Sequence, residues 1–124
     1  MGISTTWDNE EKTILCTRIE GHWELGEFYA AFGELNEMTA DISHQIFFII
    51  DFEKSAEPPR KFLSTGGYIK DHAPDNIQLT IFVKPSRFVK VLMQTINRLV
   101  KSDAPGVVFA DNMEEAVVMA SQYK

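Results

Sequence analysis

The stretch IFFIID, residues 46–51, decides the fold prediction because five consecutive apolar residues are followed by an acid. A short, continuous run of β-branched and aromatic residues is typical of a strand that is covered on both faces of a sheet. At five residues, the run is also too short to cross a bilayer. We therefore predict a central strand over residues 46–50 that ends at Asp51.

Upstream of this run, the sequence predicts a hairpin followed by a helix. Strand-like residues 3–8 and 12–20 flank a polar segment, which predicts a hairpin with its turn at residues 9–11. Gly21 ends the second strand. Apolar residues then recur at helical spacing over residues 24–39, which predicts an amphipathic helix. Its inner face comprises Leu25, Phe28, Tyr29, Phe32, Leu35 and Met38.

Downstream of the run, three helices alternate with two strands. The proline pair at residues 58–59 suits the first turn of a helix, and Ser86 and Asn112 are good N-cap residues for two later helices. Strands are predicted over residues 77–83 and 107–110, and helices over residues 58–73, 86–101 and 113–123. The order predicts a single α/β domain over residues 1–124, with a mainly parallel mixed sheet of about five strands and four helices.

Composition narrows the classes of function. The chain has 124 residues, 44% of them hydrophobic, and a net charge of −6, which fits one globular domain. An acidic chain is a poor partner for nucleic acid or an anionic membrane, so neither nucleic-acid binding nor membrane insertion is expected. The single cysteine, Cys16, excludes an intrachain disulfide, and no secretory leader is visible. We therefore expect a cytoplasmic protein.

Three short motifs, together with the element order, resemble the STAS-like domains of the anti-sigma factor antagonist type (SpoIIAA-like proteins). The motifs are GHW at residues 21–23, IFFIID at residues 46–51, and VVFADNMEEAV at residues 107–117. The resemblance implies a bacterial protein-interaction or regulatory module. The sequence has no nucleophile-elbow, phosphate-loop, dinucleotide-binding or metal-ligand motif, so we expect no enzyme, catalytic residue, metal or cofactor. The resemblance places the candidate interaction loop directly after the central strand, at Asp51, Glu53, Ser55 and Arg60.

The serine motif of regulatory members of that family is absent here. Those members carry Asp-Ser-Ser-Gly or Asp-Ser-Thr-Gly at the start of the second helix, and a kinase phosphorylates the serine. The corresponding stretch of this chain reads DFEKSAEPPRKF over residues 51–62. Ser55 lies near the expected place, and Ser64 and Thr65 resemble the tail of the motif two turns later. These three residues are candidate phosphorylation sites by position.

Few residues form sequence patterns that indicate catalysis or ligand binding. Asp51, at a strand end in an open α/β sheet, could bind a ligand or hydrogen-bond nearby backbone amides. We favour the second because no partner acid, metal ligand or nucleophile stands beside it. Cys16 lies in mid-strand and is expected in the core. The histidines lack metal-ligand spacing, although His22 beside Trp23 could line a pocket.

Acidic and basic residues are segregated along the chain. Residues 19–53 contain eight acids and no lysine or arginine, whereas residues 84–101 contain five bases and no acid. One side of the first helix carries Glu24, Glu27, Glu34 and Glu37, and the third helix carries a basic stripe of Arg87, Lys90, Arg98 and Lys101. Two interpretations stay open: docking to another protein or to a second copy, or two solvated faces of opposite sign.

A second hypothesis for the function is a small apolar-ligand-binding domain. CRAL-TRIO-type lipid binders have a related α/β layout, and the nine phenylalanines of this chain could line a pocket. This hypothesis requires a real cavity inside the domain.

Overall fold

The computed structural model describes residues 2–56, 76–87 and 106–122, together with residues 90, 91 and 94. Within these residues the strands are β1 (Ile3–Trp7), β2 (Ile14–Gly21), β3 (Ile46–Ser55), β4 (Ile77–Val83) and β5 (Gly106–Ala110). The helices with defined bounds are α1 (Leu25–Thr39) and α2 (Met113–Gln122).

The five strands form one mixed sheet in the order β1-β2-β3-β4-β5. β1 pairs antiparallel with β2, and every other neighbouring pair is parallel. The predicted N-terminal hairpin and mainly parallel sheet of five strands are therefore confirmed. Each parallel strand lies beside its predecessor in the chain, as expected when a helix crosses over between neighbouring strands.

Two of the predicted helices cannot be compared in full. The predicted helix over residues 58–73 lies outside the described residues, as does most of the helix over residues 86–101. Of the latter, Arg87, Lys90, Val91 and Gln94 are helical. The N–H of Lys90 donates to the carbonyl of Ser86 at 2.9 Å, so a helical turn begins where the N-cap prediction placed it.

The two faces of the sheet carry separate apolar layers. On the face that α1 covers (the α1 face), Leu15, Ile19, Phe48, Ile50, Phe52 and Phe82 belong to one buried cluster with residues of α1. On the opposite face (the α2 face), Cys16, Ile49, Leu79, Ile81 and Val83 pack against Ala116 and Ala120 of α2. Phe28, Phe32 and Leu35 of α1 are buried, and Leu25, Tyr29 and Met38 are partly buried against the same cluster. The predicted inner face of the first helix is confirmed.

Both helices begin with side-chain caps. In α1, Glu24 is the N-cap and exchanges hydrogen bonds with Glu27 in a capping box, so part of the acidic side of this helix closes its first turn. In α2, the N–H of Glu115 donates to Asn112 Oδ1 at 2.8 Å, as the predicted N-cap requires. Each cap satisfies backbone groups that the helix leaves without a partner.

The prediction that the central strand ends at Asp51 is wrong, because β3 continues to Ser55. Asp51 lies in mid-strand, pairs in register with Arg18 of β2 and Val83 of β4, and is buried. The apolar run ends at this residue, but the strand does not, because Arg18 on the neighbouring strand pairs with the Asp51 carboxylate. Phe52 then returns to the α1 core, which keeps the chain in the sheet.

Candidate interaction site at the carboxyl ends of β2 and β3

A β-bulge shapes the carboxyl ends of β2 and β3. Arg18 lies opposite Asp51, but Glu20 lies opposite Lys54, so β3 advances by one residue more than β2. Without that extra residue, Glu20 would face Glu53, and like charges directly opposite one another are destabilising. The bulge instead sets Glu20 opposite a lysine. Such bulges re-aim side chains near the end of a strand.

Asp51 holds the bulge from inside the sheet. Its Oδ1 accepts a hydrogen bond from the N–H of Glu53 at 2.9 Å, and its Oδ2 lies 3.5 Å from Arg18 Nε. The Asp51 side chain is 8% exposed, whereas that of Arg18 is 52% exposed. The carboxylate therefore hydrogen-bonds a nearby backbone amide, as the favoured interpretation predicted, and it braces a cation that reaches into solvent.

Trp23 and Ser55 tie the end of β3 to the segment after β2. The indole Nε1 of Trp23 donates to Ser55 Oγ at 3.0 Å, and Ser55 Oγ donates to the carbonyl of Ala56 at 2.7 Å. The N–H of Ala56 also donates to the carbonyl of Gly21 at 2.9 Å. Since Trp23 is 1% exposed, this end of the sheet is anchored in the α1 core.

The GHW motif turns the chain out of the sheet. Gly21 has a φ of +63°, a left-handed conformation that glycine adopts without steric cost. Trp23 enters the core, while His22 between them is exposed. The two ring side chains therefore point to different environments, and His22 and Trp23 do not line a shared pocket.

The exposed charges at this end are of both signs. Lys54 Nζ lies 4.0 Å from Glu20 Oε2, with the two side chains 72% and 54% exposed. An ion pair this exposed adds at most about 1 kcal/mol to stability. Arg18, Glu20, His22, Glu53 and Lys54 together form what we call the β2–β3 end surface, and all five residues are exposed.

Cys16 lies in β2, on the α2 face of the sheet, and is 4% exposed. Burial is the main reason why the pKa of its thiol rises from 9.0 to about 11, although the nearby Arg18 guanidinium acts in the opposite direction. At neutral pH the side chain is therefore a thiol and not the thiolate that reacts as a nucleophile. The prediction of a core cysteine is confirmed.

Between α1 and the sheet, the described residues line a cavity of about 20 Å³ that is partly open to solvent. Thr17, Phe28 and Phe48 are among its lining residues. Such a volume holds about one water molecule, whereas pockets for small ligands span roughly 300–1,000 Å³. This cavity does not support the small-apolar-ligand hypothesis.

The described part of the chain contains no group of three or more histidine, cysteine, aspartate or glutamate side chains placed to hold a metal ion. None of its helices combines the length and apolar character needed to cross a membrane.

The structure corrects the predicted interaction loop in part. Asp51, Glu53 and Ser55 lie within β3 and not in a loop after it, because the buried acid is paired by Arg18 of β2 and the strand continues past it. Arg60 lies outside the described residues, as do the candidate phosphorylation sites Ser64 and Thr65.

The predicted basic stripe is visible at its first two positions. Arg87 and Lys90 are exposed, and Lys90 Nζ lies 5.4 Å from the centre of the Phe109 ring. Arg98 and Lys101 lie outside the described residues. Whether the stripe extends along the helix stays a prediction.

Sequence reasoning missed Arg18 and the pairing of Trp23 with Ser55. A signal for the first exists, since Arg18 is the single base between Lys12 and Lys54 and falls on a predicted strand. A lone cation on a strand with an apolar inner face suggests an acidic partner on a neighbouring strand. No comparable signal marks the bond between Trp23 and Ser55.

Comparison with known proteins supplies a fold and no function. No protein family model matches the chain, and no curated protein matches it. Among solved structures, the chain is similar to an uncharacterized protein of the DUF3478 family from Shewanella loihica PV-4, described as having a SpoIIAA-like fold. The TM-score is 0.71 at 11% sequence identity, covering 96% of this chain and 94% of that one. The chain therefore has the SpoIIAA-like α/β fold that its element order and short motifs predicted.

Proposed function

We propose that the chain is a non-catalytic protein-interaction or regulatory module of the bacterial cytoplasm, and that it binds a partner protein through the β2–β3 end surface. The observation that carries the proposal is that a buried carboxylate holds this surface in place. Exposed charges of both signs stand on a bulge that Asp51 braces from inside the sheet.

Rigid support favours binding at this surface. The hydrogen bonds from Trp23 to Ser55 and from Ala56 to Gly21 fix the backbone beneath the exposed charges. A surface that is ordered before binding loses less conformational entropy when a partner docks. Alternating charges then favour one partner over others, because wrong partners meet like charges.

The outward direction of the charged groups favours a macromolecular partner over a small substrate. Sites for small molecules are concave and enclose most of the ligand. Arg18 and Lys54 instead extend from the sheet into solvent, where they meet a second protein surface. An enzyme would need these groups to converge around a reacting atom.

Ser55 is the residue through which such a module would be regulated. Its hydroxyl donates to Ala56 and accepts from Trp23, so a phosphate on Oγ removes the donated bond. The phosphate also adds negative charge beside Glu53, and repulsion between like charges loosens a segment. Phosphorylation at Ser55 would therefore release the end of β3 and lower the affinity for the partner.

Site-specific photo-crosslinking tests the proposed surface. A photoreactive residue at Glu53, on the surface, is compared in host cells with one at Ser43, which is exposed before the amino end of β3. We expect one discrete adduct from position 53 and none of that mass from position 43. Excess unlabelled chain should suppress the adduct. Identical adducts from both positions would exclude a specific site at this surface.

Charge-removal variants then measure the contribution of the surface to affinity. With the crosslinked partner purified, calorimetric titration should show at least about tenfold weaker binding for Lys54→Gln, within the usual range for one well-placed interface charge. The matched control, Asp41→Asn, removes an exposed charge near the opposite end of the sheet and should bind like the wild type. Equal losses in both variants would point to the overall charge of the chain.

Mass spectrometry of the protein from its host tests the regulatory step. A phosphate that maps to Ser55, disappears on phosphatase treatment and weakens the titrated affinity supports the proposal. A phosphorylated chain that binds the partner as tightly as the unmodified chain would contradict the regulatory role of Ser55 and leave the docking surface standing.

A further inference from the structure

β1 forms one edge of the sheet, and its backbone groups alternate between β2 and the outside. The N–H of Glu20 donates to the carbonyl of Gly2, and the N–H of Asp8 donates to the carbonyl of Ile14. In an antiparallel pair, such hydrogen-bonded positions recur at every second residue. The even-numbered residues of β1 therefore face β2, and the N–H and C=O groups of Ile3, Thr5 and Trp7 point to the outer edge.

Within the described residues, this edge lacks the features that usually prevent edge-to-edge pairing. Proteins protect edge strands with prolines, charged side chains, bulges or a covering segment. The sequence of β1 is ISTTW, which has neither charge nor proline, and its register with β2 is regular over all five residues. Within the described part of the chain, β1 stands at one end of the strand order, and no strand pairs with its outer side.

The sequence of β1 is complementary to itself about a two-fold axis at Thr5. Antiparallel pairing of two copies sets Ile3 of each copy opposite Trp7 of the other, on the α1 face. Both side chains are partly exposed hydrophobic groups that pack against the α1 core. Aromatic and β-branched residues form favourable cross-strand pairs. On the α2 face, the exposed and uncharged Ser4 and Thr6 lie opposite one another.

We propose that two copies of this chain dimerise by antiparallel pairing of β1 with β1, which joins two five-stranded sheets into one continuous sheet. About six backbone hydrogen bonds form, two for each facing pair of outward residues. A single strand pair buries little area, and interfaces below about 1,200 Å² belong to weak or transient complexes. The dimer is therefore weak and depends on concentration. It does not rest on the β2–β3 end surface.

Electrostatics distinguish this dimer from one in which the acidic first helix meets the basic third helix. The facing strands are uncharged, while each copy carries a net charge of −6. Added salt screens the repulsion between the copies and strengthens strand pairing. Salt would weaken a dimer held by acidic and basic helices.

Sedimentation equilibrium at low and high salt tests the proposal with a matched pair of variants. Thr5→Pro removes the central outward N–H but leaves the ladder to β2, because proline is tolerated on an edge strand where its nitrogen faces away from the ladder. Thr5→Val keeps that N–H and removes only the hydroxyl that bonds Thr17 at 3.0 Å. We expect wild type and Thr5→Val to dimerise more strongly at high salt, and Thr5→Pro to dimerise at least tenfold more weakly.

Cysteine crosslinking fixes the register and does not depend on the folding of the proline variant. In the proposed dimer, position 4 of one copy lies opposite position 6 of the other, within reach of a disulfide. Under mild oxidation, a mixture of Ser4→Cys and Thr6→Cys should therefore crosslink faster than either variant alone. The native Cys16 is buried. A monomeric wild type at all concentrations, a dimer that salt weakens, or equal crosslinking in all three samples would each overturn the proposal.

Discussion

Replacing Asp51 with alanine tests the claim that this carboxylate holds the bulge of β3. The change removes the hydrogen bond that Oδ1 accepts from the N–H of Glu53, and a hydrogen bond to a charged group contributes about 1.5–3 kcal/mol. It also removes the ion pair with Arg18. Because Arg18 is half exposed, solvent screening limits that pair to about 0.5–1 kcal/mol. We expect Asp51→Ala to lower the free energy of unfolding by about 2–4 kcal/mol.

Two further variants separate the hydrogen bond from the charge. Asp51→Asn keeps an oxygen that can accept from Glu53 and removes the charge, so it should cost about 1 kcal/mol or less. Arg18→Gln removes only the partner cation and should cost about 0.5 kcal/mol. Urea unfolding at neutral pH, followed by circular dichroism, measures all three. With a slope of about 2 kcal/mol/M, in the middle of the usual range, the urea midpoint for Asp51→Ala should fall by about 1–2 M.

The relative losses of unfolding free energy in the three variants show whether the hydrogen bond or the ion pair of Asp51 stabilises the bulge. If Arg18→Gln costs as much as Asp51→Ala, the ion pair dominates and the backbone contact is secondary. If all three variants unfold like the wild type, Asp51 has no structural role, and its interpretation as a ligand-binding carboxylate regains support. A double-mutant cycle of Asp51→Ala with Arg18→Gln measures the coupling directly, since the two side chains are in contact.

Three shorter predictions address other described residues. Burial raises the pKa of Cys16 from 9.0 to about 11, so the free energy of unfolding should fall by at most about 2–3 kcal/mol between pH 9 and 11. In urea titrations run in parallel, Cys16→Val should show a smaller fall over the same pH range. Lys12 has a φ of +58°, so Lys12→Gly should raise the urea midpoint by the equivalent of about 0.5–1 kcal/mol. Ser55→Ala removes the hydrogen bond from the indole N–H of Trp23 to Ser55 Oγ and should destabilise by about 0.5–1.5 kcal/mol. In a Trp7→Phe background the tryptophan emission should shift, and an unchanged spectrum would contradict that contact.

Local patterns were sufficient to predict the regular elements. The predicted strand over residues 77–83 matches β4 at both ends, and α1 buries the predicted side of the helix. In both cases the periodicity of apolar residues contains the information, because a helix or strand must place one face against the core. The start of α2 follows for a related reason, since Asn112 and Glu115 lie close enough in sequence to be recognised as a cap.

The candidate site depends on contacts between residues that are distant in sequence. Aspartate is depleted in strands, so the apolar run before Asp51 suggested a strand end. The strand continues because Arg18, on another strand, lies opposite that aspartate. The contact of Trp23 with Ser55 likewise joins two segments that only the assembled sheet brings together.

The bulge lies directly beyond the residue at which the prediction ended the strand, where the candidate site begins. Without the extra residue in β3, Glu20 would face Glu53 and Gly21 would face Lys54. With it, Glu20 faces Lys54 and Gly21 faces Ser55. One insertion therefore replaces a repulsive pair with an attractive one and carries Ser55 to the level at which Trp23 can bond it. The alternation of apolar and polar residues along a strand does not reveal an inserted residue. When a strand continues beyond the end of its apolar pattern, the residues past that point are therefore candidates for function.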